Sequence, residues 1–251
     1  MSIARNTSRI FRQQLRAHVA WPPLSNNLEL GDFGVFRGGV FDRLGTIRGL
    51  GVDFERKVGP AAPFDFRSGG VTEGGVDVGA HLAKNEAALK IHFNNSDSLY
   101  LRSKRMLIME IAETLPVAAA LRKHPDWRYR FRVIHKLWHF EDAVFITSED
   151  NDAEVEISGS LAALRLLKGG SAAAGLKIQS KRGTGLEAIG ATGPAMLGLF
   201  RVRLRDGSPD LLDFAIPTGT GADASADLIE FDEPGDGELL DDPEDDPQTA
   251  A

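Results

Sequence analysis

The chain of 251 residues contains no cysteine. This absence excludes disulfide frameworks, thiol catalysis and cysteine zinc sites, and a reducing cytoplasm is the default compartment for such a chain. No apolar run approaches the roughly 18 residues that a membrane-spanning helix needs. The first residues also lack the apolar core of a signal peptide. We therefore expect a cytoplasmic protein that is neither exported nor inserted in membranes through helices.

Signatures of catalysis and cofactor binding are also missing. The sequence has no Gly-x-Ser-x-Gly elbow, no Walker loop and no His-Glu-x-x-His pair, and Gly49 and Gly51 lack the third glycine of a dinucleotide loop. His135 and His139 are four residues apart, but they lie in a run typical of a strand, so we interpret them as ordinary sheet residues. The acidic turn at residues 149–152 lacks the full pattern of a calcium loop. We expect no enzymatic activity, no cofactor and no metal site.

Charge is distributed unevenly along the chain. The formal net charge is −7, from 29 Lys and Arg against 36 Asp and Glu. Twelve of the acids and none of the bases follow Thr218, so the preceding residues carry about +5. The tail is rich in Gly, Pro, Asp and Glu, a composition typical of disorder. We predict a basic body over residues 1–216 and a disordered acidic tail over residues 217–251, apart from the apolar residues 228–231 and 239–240.

The N-terminal segment predicts a basic amphipathic helix. Residues 3–20 contain neither Gly nor Pro, and the run ends at Pro22 and Pro23. Arginines recur in it every three or four residues, which aligns them in one stripe on a helix. One interpretation is a solvated face above an apolar face, and the other is a surface that meets acidic lipid head groups or the acidic tail. The stripe consists of Arg5, Arg9, Arg12 and Arg16.

Alternating apolar and polar residues predict strands through much of the body. Residues 33–41 predict a hairpin that turns at Gly38 and Gly39, and residues 87–93 predict a half-buried strand. A strand-like run extends over residues 127–146, and we expect a bend near Glu141 to divide it. Further strands are predicted at residues 153–158, 175–181 and 198–205.

Two segments show a helical period instead. Met106, Ile108 and Met109 belong to an apolar set with helical spacing, so we predict a helical insertion over residues 100–123, broken or kinked at Pro116. A second, short helix is predicted at residues 160–168. A twisted, mainly antiparallel sheet with these helical insertions and the basic N-terminal helix is an α+β fold.

Arginines also alternate with apolar residues in two predicted strands. One contains Trp127, Tyr129 and Phe131, and the other contains Phe200 and Val202. Interleaved aromatic and basic residues occur on nucleic-acid surfaces, but successive strand side chains point to opposite faces. This geometry favours core packing beneath a solvated basic face, so nucleic acid is the less favoured partner. The candidate lipid- or partner-binding residues of these strands are Arg128, Arg130, Arg132, Arg201 and Arg203.

The order of these elements resembles the pore-forming domain of the gasdermin family, in its bacterial type. The resemblance covers most of residues 1–214 and is one of order and amphipathicity. It implies a twisted antiparallel sheet with two long hairpin regions that extend into membrane-spanning strands when the protein oligomerises. The matching pieces are the basic helix, the strands at residues 76–93, the helical insert at residues 106–121, and the strand regions at residues 129–157 and 176–204.

The resemblance implies a role in bacterial defence for a protein that binds anionic membranes, assembles with copies of itself and forms a pore. It also implies release from autoinhibition, for example by an activating protease. The acidic tail is the segment that we expect to hold the body inactive. The alternative from the residues alone is a soluble β-rich interaction or assembly protein whose arginines bind an acidic protein or a nucleic acid.

Overall fold

Antiparallel strands dominate the described part of the chain, which comprises residues 3–37, 39–77, 86–160, 163–164, 177–202 and 229–231 of the computed structural model. The helical elements are α1 (Ile3–Ile10), a π-helical turn at Phe11–Leu15, a 3₁₀ turn at Ile47–Leu50, and α2 (Thr114–Arg122). The strands are β1 (His18–Val19), β2 (Asp32–Arg37), β3 (Val40–Thr46), β4 (Arg56–Val58), β5 (Ala62–Arg67), β6 (Val71–Asp77), β7 (Glu86–Phe93), β8 (Leu99–Ile111), β9 (Arg132–Ser148), β10 (Ala153–Ser160), β11 (Lys177–Arg182), β12 (Thr184–Val202) and β13 (Ile229–Phe231).

The strands form two sheets, and their pairings are antiparallel, which confirms the predicted sheet class. The body sheet has nine strands around β9, which pairs with β12 on one side and with β8 and β2 on the other. β1 and β13 pair with the outer edge of β12, β4 and β5 with the outer edge of β8, and β3 with β2. The small sheet has four strands in the order β11, β10, β7, β6.

The helical insertion predicted within residues 100–123 is wrong for its first half. Leu99–Ile111 is strand β8, and it lies between β9 and the pair β4 and β5. A strand inside a sheet that is covered on both faces carries apolar residues on both faces, so its sequence has no clear period of two. The helix α2 begins only at Thr114, with Pro116 in its first turn, where the missing N–H has no intrahelical partner to lose.

The N-terminal helix is shorter than the predicted residues 3–20. Regular helical structure ends at Leu15, and Arg16 adopts a left-handed backbone with φ of 49°. The chain then forms β1, which pairs with β12 at Met196. Tertiary packing overrides the local helical pattern here, because Val19 is buried in the same cluster as Met196.

The bend predicted near Glu141 does not divide the strand. β9 continues through Asp142, whose φ of 49° and N–H bond to Thr192 Oγ1 (3.1 Å) mark a bulge. The pairing of β9 with β8 keeps the same register on both sides of the bulge. The strand also begins later than predicted, at Arg132, because residues 127–131 form a loop.

β2 approaches β3 closely at Gly34. A Cβ added at Gly34 would lie 2.0 Å from the carbonyl oxygen of Asp42, a backbone atom that cannot rotate away. We predict that Gly34→Ala lowers the free energy of unfolding by at least about 2 kcal/mol, because the strands must separate. Gly49→Ala, whose Cβ would meet only the Thr46 methyl group at 3.7 Å, serves as control and should change it by less than about 0.5 kcal/mol. Equal urea midpoints for the two variants would contradict the prediction.

His135 on β9 makes stability depend on pH. Burial, followed by the charge of Lys136, lowers the pKa of His135 to about 4. The unfolded chain, with a histidine pKa of about 6.5, therefore binds the proton first as the pH falls, and stability is lost progressively between pH 6.5 and pH 4. We predict a loss of up to about 3 kcal/mol across this window, and a smaller loss in His135→Gln. Urea unfolding at several pH values checks this, and identical pH profiles for both proteins would refute it.

Candidate functional site

The small sheet has one apolar face, which is buried against the body sheet. Every second residue of β7 and β10 points into this contact, and the residues between them are more exposed on β10. The partners across the contact are Tyr100, Val144 and Ile146 of β8 and β9. The alternation predicted for these two strands is therefore confirmed. Among the side chains of the small sheet that the structure describes, those fully buried are Leu89, Ile91, Phe93, Ala153, Val155 and Ile157.

Each strand of the small sheet continues a strand of the body sheet. The consecutive pairs are β5 with β6, β7 with β8, β9 with β10, and β11 with β12. Neighbours in the body sheet follow the order β5, β8, β9, β12, and their continuations follow the same order in the small sheet. The four connections therefore lie side by side. We call this line the crease; it consists of residues 68–70, 94–98, 149–152 and Gly183.

A left-handed residue stands in each connection of the crease. The φ angles are 87° at Gly70, 58° at Asp97, 59° at Asp152 and 64° at Gly183. Extended strands use negative φ, so one left-handed residue is enough to turn the chain out of the strand direction. Glycine, aspartate and asparagine tolerate this conformation best. All four strands therefore bend along the same line across the sheet.

Hydrogen bonds join neighbouring connections of the crease. Ser148 N–H donates to Ser98 O at 2.9 Å, and Ser98 N–H donates to Ser148 Oγ at 3.0 Å. On one side, Glu149 N–H donates to Gly183 O at 2.8 Å, and on the other, Ser98 Oγ donates to Gly69 O at 3.3 Å. The crease is thus a hydrogen-bonded row across all four strands.

One charged network joins the small sheet to the body sheet beside the crease. The carboxylate of Glu73 on β6 lies 2.6 Å from Arg67 and 3.2 Å from Arg102, and both arginines also contact Asp65. Only 9% of the Glu73 side chain is exposed. Arg102 also donates to the hydroxyl of Tyr100 at 3.4 Å, and burial raises the pKa of that phenol. Both carboxylates are matched by an arginine, which lowers the cost of burying them.

The arginine stripe of the N-terminal helix is only partly present. Arg5, Arg9 and Arg16 are exposed, but Arg12 is 8% exposed and belongs to the buried residues. Arg12 is the second residue of the π-helical turn that begins at Phe11. The prediction of one solvated stripe is wrong for Arg12.

The second arginine group lies on a loop and at a strand end, rather than along one solvated face. Arg128 and Arg130 precede β9 in the loop of residues 123–131, and the Nη1 of Arg132 donates to the carbonyl of Arg130 at 2.9 Å. Arg132 itself is only 3% exposed, so the predicted solvated face is wrong there. Its register partner on β12 is Arg201, which is partly exposed. Arg203 lies outside the described residues.

Two of the three aromatic residues in the same loop pack against the body, and the third is exposed. Trp127 and Phe131 pack on Phe33 with ring centroids 5.5 and 5.4 Å apart, whereas Tyr129 is 60% exposed. Two of the three interleaved aromatics therefore contribute to the core. Tyr129, predicted to face the core from a strand, instead sits beside the exposed Arg128.

The two arginine groups lie at opposite ends of β9. Arg9 contacts Asp97, which is hydrogen-bonded to Ser148 at the C-terminal end of β9. Arg132 is the first residue of this 17-residue strand. At 3.3 Å per residue the two ends are up to about 50 Å apart. One group therefore adjoins the crease and the other lies far from it.

The acidic tail contributes one described strand. β13 pairs with β12 from Phe200 to Val202, and the register places Glu230 opposite Arg201. The sequence had singled out residues 228–231 as an exception to tail disorder. The strand lies at the end of the body sheet where Arg132 begins β9.

The crease was not predicted from the sequence. The available signals were the glycines at residues 69–70, Gly183 and the acidic turn at residues 149–152, and only the last of these was interpreted as a turn. Within the described ranges, no group of three or more His, Asp or Glu side chains is placed to hold a metal ion. No helix in that part of the chain is long and apolar enough to span a membrane.

Stability measurements can test the different burial of Arg12 and Arg5 in the predicted stripe. We predict that Arg12→Ala lowers the free energy of unfolding by about 1–2 kcal/mol, because the buried stem loses its packing. Arg5→Ala removes an exposed arginine from the same segment and should change stability by less than about 0.5 kcal/mol. Thermal unfolding of both variants checks this, and a stripe with both arginines solvated would give equal midpoints.

No protein-family model matches this chain, and no curated protein matches its sequence. Among solved structures, the chain is similar to that in the cryo-EM structure of the gasdermin A3 membrane pore. The two chains are 11% identical and align with a TM-score of 0.32 over 86% of this chain and 97% of the other.

Proposed function

We propose that this protein forms oligomeric pores in anionic membranes after release of autoinhibition, with the small sheet as the part that inserts. The observation that carries the proposal is the crease, at which four adjacent strands bend together. Opening the crease would move the small sheet off the body sheet as one unit. We further propose a gasdermin-like, cytoplasmic protein of bacterial defence that becomes membrane-associated on activation.

The apolar face of the small sheet suits lipid as well as a protein core. In water, Leu89, Ile91 and Val155 are covered by the body sheet. In a membrane the same face would contact acyl chains, and the opposite face, with Lys90 and Glu156, would contact water. The same alternation of apolar and polar residues therefore suits both the folded protein in water and the membrane. The body sheet, whose core includes Val133 and Val202, stays folded in this proposal, so spanning is confined to part of the hairpin regions expected from the sequence.

The length of the strands fits insertion once the crease opens. A spanning strand needs about 9–11 residues. The described strands of the small sheet have between 6 and 8 residues, so each must extend. The crease supplies residues at one end, and the segments 78–85 and 161–176 supply them at the other.

These two segments contain no Asp or Glu. The whole stretch between Glu156 and Glu187 is free of acids, and residues 161–176 consist mainly of Leu, Ala and Gly. A hairpin tip must cross the hydrocarbon core during insertion, and each carboxylate at the bilayer centre costs about 2.5–3.5 kcal/mol on insertion scales. The absence of acids lowers this cost without removing it, because the same scales assign a similar cost to the three bases of these segments, Lys84, Arg165 and Lys168.

The small sheet also supports assembly of identical copies. Its outer strands, β6 and β11, have no partner on their outer edges among the described strands. The four strands alternate in direction, so β6 of one copy runs opposite to β11 of the next when copies are placed side by side. Repeated pairing of this kind joins copies head to tail and closes into a ring, which leaves no unpaired edge in lipid.

Membrane contact and autoinhibition are assigned to the charged parts of the chain. Exposed Arg5, Arg9 and Arg128 attract anionic lipid, and Tyr129 adds an aromatic ring suited to the head-group region. The tail strand β13 covers the edge of β12 beside Arg201, and the acidic tail lowers the affinity of the body for anionic surfaces. An activating protease that cuts between body and tail would relieve both effects.

Dye release from anionic liposomes tests the proposal. We predict that deletion of residues 218–251 gives leakage with large oligomers, whereas the full chain leaks far less. In the truncated chain, the double variant Ala172→Asp and Ala173→Asp should abolish leakage, because two charges must cross the bilayer. The matched control adds two negative charges at exposed body positions outside the arginine-rich segment, Ser25→Asp and Asn27→Asp, and should leak at nearly the unmodified rate.

Two results would contradict the proposal. Leakage by the Ala172→Asp, Ala173→Asp variant equal to that of its control would exclude insertion of the small sheet. Sealed liposomes with every truncation would reject pore formation and favour the alternative, a soluble β-rich interaction protein. That alternative predicts binding of an acidic protein or of labelled oligonucleotides with steep salt dependence.

A further inference from the structure

We infer that the contact between Arg9 of α1 and Asp97 of the crease is a latch through which lipid binding by the helix opens the small sheet. The inference rests on the proposed function and adds to it the step that links membrane contact to insertion. Its elements are an exposed arginine, a left-handed aspartate and a polar groove between them.

Asp97 belongs to the helix contact and to the crease at once. Arg9 Nη2 lies 3.1 Å from Asp97 Oδ2, and the amide of Asn6, one helical turn earlier, donates to Asp97 Oδ1. The backbone N–H of Asp97 donates to Ser148 O at 3.1 Å, which connects it to the next strand of the crease. The helix therefore holds the one connection of the crease that joins β7 to β8.

The contact between α1 and the crease includes a polar groove beside buried residues of the helix. A groove of about 370 Å³ separates the helix from the crease and is lined on the helix side by Asn6, Thr7 and Ile10. Ser98, Thr147 and Ser148 line the opposite side. Phe11, which follows directly, is fully buried. Thr7, Ser8 and Ile10 of α1 are buried as well, so the latch opens through the side chains of Asn6 and Arg9 while the helix stays anchored.

An anionic membrane competes directly with Asp97 for Arg9. The arginine side chain is 44% exposed and the aspartate 29%, and ion pairs at this level of exposure contribute little to stability. A guanidinium binds phosphate oxygens in the same bidentate geometry as a carboxylate, and many head groups surround it at the surface. Lipid phosphates can therefore take Arg9 from Asp97.

Loss of the latch weakens the crease at its left-handed residue. Asp97 holds a sparsely populated backbone conformation, which persists where surrounding contacts fix it. Without Arg9 and Asn6, Asp97 keeps its backbone hydrogen bond to Ser148. Residues 94–98 then straighten more easily, and the bonds across the crease carry the change to β9 and β10.

Hydrogen exchange in the full-length protein tests the latch without requiring a pore. Asp97→Asn keeps the shape and the tolerance for left-handed backbone but removes the charge that pairs with Arg9. We expect amide exchange in residues 94–98 and 149–152 to become several-fold faster in solution. The matched control is Asp142→Asn, the same change at another left-handed aspartate of the body sheet, and it should leave exchange at the crease unaltered.

Vesicles test the second step, in which binding of anionic lipid opens the crease. Binding of the unmodified full chain to vesicles of phosphatidylcholine and phosphatidylserine should raise exchange at the crease, and vesicles of phosphatidylcholine alone should not. In Asp97→Asn the anionic vesicles should bind but add little further exchange, because the latch is already open. In solution, amide exchange at the crease should be as fast in Arg9→Gln as in Asp97→Asn. The double variant that carries both changes should exchange no faster than either single variant.

The outcomes separate the inference from the proposed function. Crease exchange in Asp97→Asn equal to that of Asp142→Asn would overturn the latch, even where the truncated chain leaks dye. Additive effects of Arg9→Gln and Asp97→Asn would overturn it as well, since they would show two independent contacts. Fast crease exchange in both single variants together with sealed liposomes would support the latch and reject pore formation.

Discussion

The fold depends on the need to cover one apolar face of four strands. Full burial of a Leu, Ile or Phe side chain is worth about 1.5–3 kcal/mol, so Leu89, Ile91 and Phe93 on β7 alone make exposure of this face costly. The body sheet covers it in water. The cover is supplied by continuations of the same strands, which is possible only because all four bend along one line. The crease is therefore a consequence of the alternation in β7 and β10.

The four bends are made in two ways. In the outer strands the left-handed residues are Gly70 and Gly183, within short connections, and no Cβ opposes the conformation. In the inner strands they are Asp97 and Asp152, within longer connections, where contacts hold a residue that tolerates the conformation less well. The inner bends are therefore the ones that depend on their surroundings. The helix α1 reaches one of these two, at Asp97.

The sequence predicted strands where apolar and polar residues alternate and missed β8, whose apolar residues Ile108 and Met109 pack in different core clusters. The alternation of β10 was readable because Val155 is buried while Glu154 is not. β8 was mistaken for a helix because it lies within the body sheet, and Arg12 and Arg132 were placed in solvent because local pattern does not show what packs above them. The crease was not predictable, since it depends on the alignment of residues as distant as Gly70 and Gly183.

The positions of the charged groups separate two requirements for activity under the proposed function. The tail strand β13 covers the end of the body sheet near Arg132, whereas Arg9 acts at the crease, up to about 50 Å away along β9. Removal of the tail leaves the contact of Arg9 with Asp97 in place, and lipid at Arg9 leaves β13 paired with β12. Tail removal therefore does not release Arg9, and lipid binding does not remove the tail. A protein built this way responds to the two signals together, because each one acts on a different end of the same sheet.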